Sequence, residues 1–261
     1  DDIAYKRGLG AELALGSKRM ADRYGGREFA MQSKGLEYAA YEPRGAVGHG
    51  LGYATANRGG CHLNGGYMVF WEATGPITMD PLSTKAKPAY CIFQQNTFEA
   101  ISASGTCIFT AYAVMPPAAA AMSANPLAAT LTRKLLGGSR LVMDRLSLIP
   151  ERFLAFHVPM IPHTRAISTL TGMPMSLGRF IGIGERGFNL ERLFNLREGM
   201  TRRDDALPRR LTHELQRDTE PASRVPLETM LPHYYKLRGW DADGIPRRAK
   251  LRDLGLEWAR R

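Results

Sequence analysis

Eight glycines fall within 22 positions of this 261-residue chain, between Gly45 and Gly66, and they constrain the fold more than any other feature. Glycine tolerates positive φ and lets the backbone approach a bulky neighbour closely, so such a density marks either a binding loop or a tight packing region. The segment reads Pro43-Arg44-Gly45-Ala46-Val47-Gly48-His49-Gly50-Leu51-Gly52-Tyr53, continuing through Asn57-Arg58-Gly59-Gly60-Cys61-His62-Leu63-Asn64-Gly65-Gly66-Tyr67. It is not a dinucleotide fingerprint, because Gly48-x-Gly50-x-Gly52 lacks a strand-turn-helix setting, and it holds no Gly-Lys-Ser/Thr phosphate loop. Arg44, Asn57 and Arg58 supply donors suited to phosphates or polar ring edges. A turn region that packs two helices explains the glycines equally well.

The rest of the chain reads as mostly α-helical. Residues 3 to 24 form an expected amphipathic helix, with Leu9, Leu13, Met20 and Tyr24 near one face and Gly25-Gly26 as its stop. A short extended stretch is expected over Glu37 to Tyr41. Further helices are expected from Asn125-Pro126 to Gly137-Gly138, over Leu177 to Glu198, from Pro226 to Arg238 with a break or late start at Pro232, and over Pro246 to Leu254. The 44% hydrophobic content excludes a disordered chain. Ala111 to Ala121, the most apolar run, is interrupted by Pro116 and Pro117, so no membrane span is expected.

Three cysteines, Cys61, Cys91 and Cys107, are too few for a disulfide framework and point to a reducing, cytoplasmic setting. The chain opens Asp1-Asp2 without Met or a signal-peptide pattern, so it reads as cut from something longer. A net charge of +10 raises the option of a nucleic-acid-binding helical module, whose affinity would fall steeply with salt. The basic residues are scattered, however, and no zinc-finger or helix-turn-helix signature appears, so no nucleic acid is expected. Arg197, Glu198, Arg202, Arg203, Asp204 and Asp205 read as charges pairing among themselves at a helix end. Tyr234, Tyr235 and Trp240 read as packing, and Cys91 as core.

Three ordered blocks carry a resemblance. Pro43-Arg44-Gly45 through Gly59-Gly60-Cys61-His62-Leu63 resembles the signature of the tungsten-containing aldehyde:ferredoxin oxidoreductase family. Gly184-Glu185-Arg186 with Asn189 through Gly199 is similar to a second block. Tyr234-Tyr235 through Gly244-Ile245-Pro246 is similar to the family's C-terminal end. The resemblance implies that residues 1–30 end a middle helical domain and residues 31–261 form the helical C-terminal domain. A Gly-rich loop region there faces the cofactor, while the β-rich cofactor domain that opens a family chain is absent from this one.

By resemblance, His62 is the catalytic histidine beside the metal, and Asn64 occupies a position that contacts a pterin. The family pattern Asp-x-x-Gly-x-Cys falls on Ser102, Gly105 and Cys107. That makes Cys107 a ligand of a [4Fe–4S] cluster and places Ser102, Thr106 and Ile108 against a pterin. Ser102 replaces the family aspartate, keeping a hydroxyl but losing the charge. The family gives His49 no role. The implied cofactors are tungsten-bis(molybdopterin), the [4Fe–4S] cluster and Mg²⁺ bridging the pterin phosphates. The implied reaction oxidises an aldehyde to its acid, with electrons passed to ferredoxin or an iron–sulfur electron-transfer subunit, in an oligomer. An alternative within the family is a benzoyl-CoA reductase-type, dearomatising catalytic subunit acting on an aromatic acyl-CoA, which Ser102 and the Asn64-Gly65-Gly66-Tyr67 loop leave open.

Overall fold

A computed structural model describes residues 1–74, 79–110, 153–155, 157 and 161–260. The expected helix over 125–138 and the apolar run over 111–121 lie outside these residues. Within them the chain is mostly helical, as its patterning indicates.

The first expected helix is two helices. Gly16, at φ +77°, separates α1 (Leu9–Leu13) from α2 (Gly16–Tyr24). The predicted apolar face is not buried: Leu9 is 73% exposed and Tyr24 62%. The chain then forms a tight hairpin, β1 (Gln32–Ser33) against β2 (Leu36–Glu37). Lys34 and Gly35 turn it with φ values of +53° and +85°, the pair of positive angles that a two-residue type I′ turn needs. Glu37 on β2 reaches back to accept from the Ser17 amide (2.7 Å) and hydroxyl (3.0 Å), capping the start of α2.

The predicted Gly-rich loop is in large part a helix. α3 (Val47–Thr55) carries Gly48, Gly50 and Gly52, and all nine of its residues are buried. Glycine lowers helix propensity, so this helix stands on its packing. A Cβ at Gly52 would lie 2.3 Å from the Gly65 carbonyl oxygen, so the following turn rests directly on the helix backbone. The start of α3 lacks a cap of its own, and the buried Glu72 carboxylate supplies one. It accepts from the Gly48 and His49 amides, each at 2.8 Å, and pairs with the buried Lys87 ammonium. Negative charge at a helix start is favourable because the unpaired N–H groups point at it.

α4 (Lys87–Ala103) is the hub, and the sequence pattern does not reveal it. It is buried on nearly every side, so Gln94, Gln95, Asn96 and Thr97 interrupt its apolar residues without forming a solvent face. Its middle is satisfied from α8 (Leu227–Arg238), where Tyr234 donates to Gln95 Oε1 at 2.6 Å and Arg238 to the same oxygen at 2.8 Å. The helix runs through Pro232 without stopping.

Between these, α5 (His163–Thr171) leads into α6 (Leu177–Arg197), which follows its predicted span closely. Ser176 caps α6 by accepting from Arg179 N at 3.2 Å, and Gly199 follows its end. α6 lies along α4, and the approach is tightest at Gly184, where a Cβ would sit 1.7 Å from the Asn96 carbonyl oxygen.

α7 (Arg209–His213) and α9 (Arg248–Asp253) complete the described helices. The predicted charge block divides. Asp204 caps the turn at Thr201, whereas Asp205 is buried and pairs with Arg192 of α6 (2.8 Å) and Lys34 of the hairpin (2.9 Å). Lys34 lies far away in sequence and Arg192 lies 13 residues away on α6, outside the charge block, so local pairing within the block gave no sign of either. Tyr234, Tyr235 and Trp240 pack in the core as expected, and Cys91 is fully buried, its thiol pushed up to about 12 by burial.

Candidate active site

The turn that carries His62 is assembled from the end of α3 outward. The Asn57 amide donates to Asn64 Oδ1 at 2.7 Å, closing a loop across residues 57–64. Asn57 and Asn64 then both donate to Glu191 Oε2 of α6 at 3.2 Å, and Asn195 of α6 donates to the Asn57 carbonyl at 2.8 Å. Two asparagines and one carboxylate thus pin the turn to α6. Asn64 is buried and its amide is engaged at both ends within the protein.

His62 itself is half-buried, with its carbonyl held by the Tyr67 amide at 2.7 Å. Burial lowers its pKa below the ordinary imidazole value, so the ring is neutral at neutral pH. It lies against Tyr41 (ring centroids 5.6 Å apart) and Tyr67 (5.7 Å), whose hydroxyls are 3.1 Å from each other. Tyr67 adopts a positive φ of +44°, an uncommon conformation for an aromatic residue. Tyr41 also stands edge-on to His49 of α3. Motif reading passed over Tyr41 and Tyr67, and the only available sign was their aromatic type beside the glycine segment.

The second set of expected residues lies at the far end of α4. Tyr67 packs on Phe98 of α4 at 6.4 Å, and the helix ends five residues later. At 1.5 Å per residue, that is about 7–8 Å along the axis. Beyond it Ser104 and Gly105 (φ +71°) turn the chain, and Cys107 emerges exposed to solvent. Thr106 Oγ1 meets Ser104 Oγ at 2.8 Å, and Ile108 packs on the cluster of Ala100, Ile101 and Phe180. Ser102 is exposed, and its hydroxyl makes no hydrogen bond among the described residues. Thr110 binds His163 Nε2 at 2.8 Å, which ties this turn to α5. α4 is therefore the rail along which the His62 turn and the Cys107 turn are both set.

Between them, Glu99 of α4 is raised to about 7, first by burial and then by the neighbouring Glu191 carboxylate. Among the described residues no group of three or more His, Cys, Asp or Glu side chains is arranged to hold a metal ion. Cys107 therefore offers a single thiolate. An open cleft of about 1400 Å³ lies elsewhere, against α7 and the start of α8, and none of the expected site residues lines it.

Comparison with known proteins shows the family to which the chain belongs. The family description "Aldehyde ferredoxin oxidoreductase, domains 2 & 3" matches residues 1–256. The chain is 37% identical over 260 residues to the tungsten-containing aldehyde ferredoxin oxidoreductase of Thermococcus kodakarensis, and equally to that of Pyrococcus furiosus. Each match covers 98% of this chain and 36% of the relative, so the chain spans little more than a third of their length. Among solved structures, the active-site complex BamBC of benzoyl-coenzyme A reductase with 1,5-dienoyl-CoA superposes with a TM-score of 0.56. That match has 19% identity and covers 100% of this chain and 38% of the other; it speaks for the fold alone. With its matching family description, its helical architecture and its glycine segment leading to His62, the chain belongs to the aldehyde ferredoxin oxidoreductase family.

Proposed function

We propose that this chain forms the helical part of a tungsten-dependent enzyme that oxidises an aldehyde to a carboxylic acid, with His62 as its acid–base residue. The observation that carries the reading is the half-buried, neutral His62 ring held against two hydrogen-bonded tyrosines, on a turn fixed to α6. Residues 1–30 then end a middle domain and residues 31–261 form the C-terminal one.

The donor set fits the implied groups as one contributor among several. Cys107 is an exposed thiol on a turn with open space at Gly105, suited to give one thiolate to a [4Fe–4S] cluster whose other ligands lie outside this chain. The exposed Ser102 hydroxyl, Thr106 and Ile108 would border a pterin. Asn64, with its amide engaged internally, would act there mainly by holding the turn. A bound tungsten–pterin group would supply the two-electron oxidation, and a cluster ligated in part by Cys107 would supply the route for electrons to ferredoxin or an iron–sulfur partner.

This chain's own residues handle oxygen and protons. The Tyr41 and Tyr67 hydroxyls meet at 3.1 Å and set the polar edge of the aromatic wall beside His62, where a carbonyl oxygen would be oriented. Neutral His62 accepts the proton released when water's oxygen is added to the carbonyl carbon. The rings of Tyr41, Tyr67 and Phe70 pack together beside His62 and would line the apolar side of a bound aldehyde. In the full-length enzyme, His62→Ala is expected to retain tungsten and lose most aldehyde turnover. Undiminished turnover with full metal content refutes the role. Assaying short aldehydes beside aromatic CoA thioesters separates this reading from ring reduction.

A further inference from the structure

His49 packs within the core, but one of its ring nitrogens is left over by that packing and by the chemistry above. It lies on α3 at 1% exposure, with Nδ1 accepting the Val69 amide at 3.3 Å. A neutral imidazole that accepts at Nδ1 carries its proton on Nε2. That Nε2 is buried and has no hydrogen-bond partner among the described residues. A buried donor left unpaired costs about 1–3 kcal/mol, which a folded protein retains where something repays it.

The surroundings identify what does. The His49 ring stands edge-on to Tyr41 at 5.5 Å and packs on Tyr53 at 4.4 Å. Tyr41 in turn touches the His62 ring at 5.6 Å. Two histidines therefore share one tyrosine, and the unpaired N–H belongs to the aromatic wall that carries the acid–base residue. Burial, helped by repulsion from His62, pushes His49 down to about 3, so the ring remains a neutral donor. Glu72, the carboxylate on this helix, is occupied by the Gly48 and His49 amides and by Lys87, and does not serve Nε2.

We infer that His49 is a substrate-positioning residue whose Nε2–H receives an oxygen of the carbonyl substrate, or of its carboxylate product, bound against the Tyr41–His62 pair when the Tyr41 ring turns aside from the buried nitrogen. The inference rests on the proposed role of His62. A neutral donor suits this place, since it orients an oxygen without holding a carboxylate as strongly as a cation does.

Two substitutions separate the ring's two nitrogens. His49→Asn keeps an acceptor near Nδ1 for the Val69 amide and removes the Nε2 donor, while His49→Gln places an N–H near Nε2 and loses the acceptor. In the full-length holoenzyme, with benzoate as the probe, His49→Asn is expected to weaken benzoate binding roughly 10–100-fold, the worth of one hydrogen bond to a carboxylate, and to raise KM more than it lowers kcat. His49→Gln is expected to recover benzoate affinity to within about twofold while lowering the melting temperature. If both variants bind benzoate like the parent, or if affinity follows melting temperature instead of the Nε2 donor, the inference is overturned and the N–H rests on the Tyr41 ring face. His62→Asn run in parallel distinguishes the failures. Retained turnover there removes the underlying reading, whereas lost turnover with normal benzoate binding by His49→Asn removes the role of His49 alone.

Discussion

Replacing Gly184 with alanine tests whether α6 is held by backbone contact with α4. On helix propensity alone the change stabilises by about 1 kcal/mol, because glycine is the poorer helix former. The structure reverses that sign. A methyl at Gly184 would lie 1.7 Å from the Asn96 carbonyl oxygen and 2.9 Å from the Ala100 amide nitrogen, both of them backbone atoms of α4 that cannot swing aside. Restoring an ordinary contact moves α6 outward by about 1.5 Å, loosening the fully buried Phe180 and Phe188 and straining the Glu191 bonds to Asn57 and Asn64. Overpacking costs about 1–3 kcal/mol, and a 1.7 Å clash with fixed backbone belongs at the top of that range, so a net loss of about 2 kcal/mol is expected after the propensity gain of about 1. That corresponds to a fall of about 4–8 °C in melting temperature for a protein of this size. Gly187→Ala is the control: its nearest neighbours are side-chain atoms of Glu99, which can rotate away, so the propensity gain should largely survive. Urea titration and calorimetry of both variants decide the matter. A Gly184→Ala protein at least as stable as the parent refutes the close-approach argument.

Cys107→Ser in the full-length enzyme should abolish or convert the four-iron EPR signal of the reduced protein; an unaltered signal assigns the thiolate elsewhere. Glu72→Gln strands the buried Lys87 ammonium and should cost about 3–5 kcal/mol in urea unfolding. Adding Lys87→Met should recover part of that loss, and strict additivity of the two changes would show that the pair is not coupled. Glu99, raised to about 7 when folded and near 4.3 when unfolded, binds its proton more tightly in the native state. Its contribution is therefore complete below about pH 4 and declines as pH rises through about 7. Glu99→Gln should flatten the stability profile between pH 5 and 8, and a parallel profile would refute the assignment.

Much of the molecule was legible along the chain. α6 announces itself through apolar spacing, a serine cap and a terminal glycine, signals that are local and need no partner. α9 and most of α8 follow for the same reason. His62 and Cys107 stood out only through their resemblance to blocks of a known family, because a lone histidine or cysteine carries no signal of its own. α4 was not, because a helix buried on all sides has no polar face to give it a period. Its polar middle is intelligible only when Tyr234 and Arg238 of α8 are placed beside Gln95. The reverse error occurred at the start, where a convincing apolar stripe over Leu9, Leu13 and Tyr24 faces outward and Gly16 breaks the helix.

The glycine segment shows where the boundary between the two lies. Its composition alone established that backbone would press closely against something. Tertiary structure decided that half of it is a helix, that Glu72 caps that helix from the next segment, and that the turn after it rests on Gly52. Tertiary structure also joined His62 to Tyr41, Tyr67 and His49. Those rings meet through folding over as many as 26 residues of chain, and no local spacing encodes a contact that the packing of α3, α4 and α6 creates.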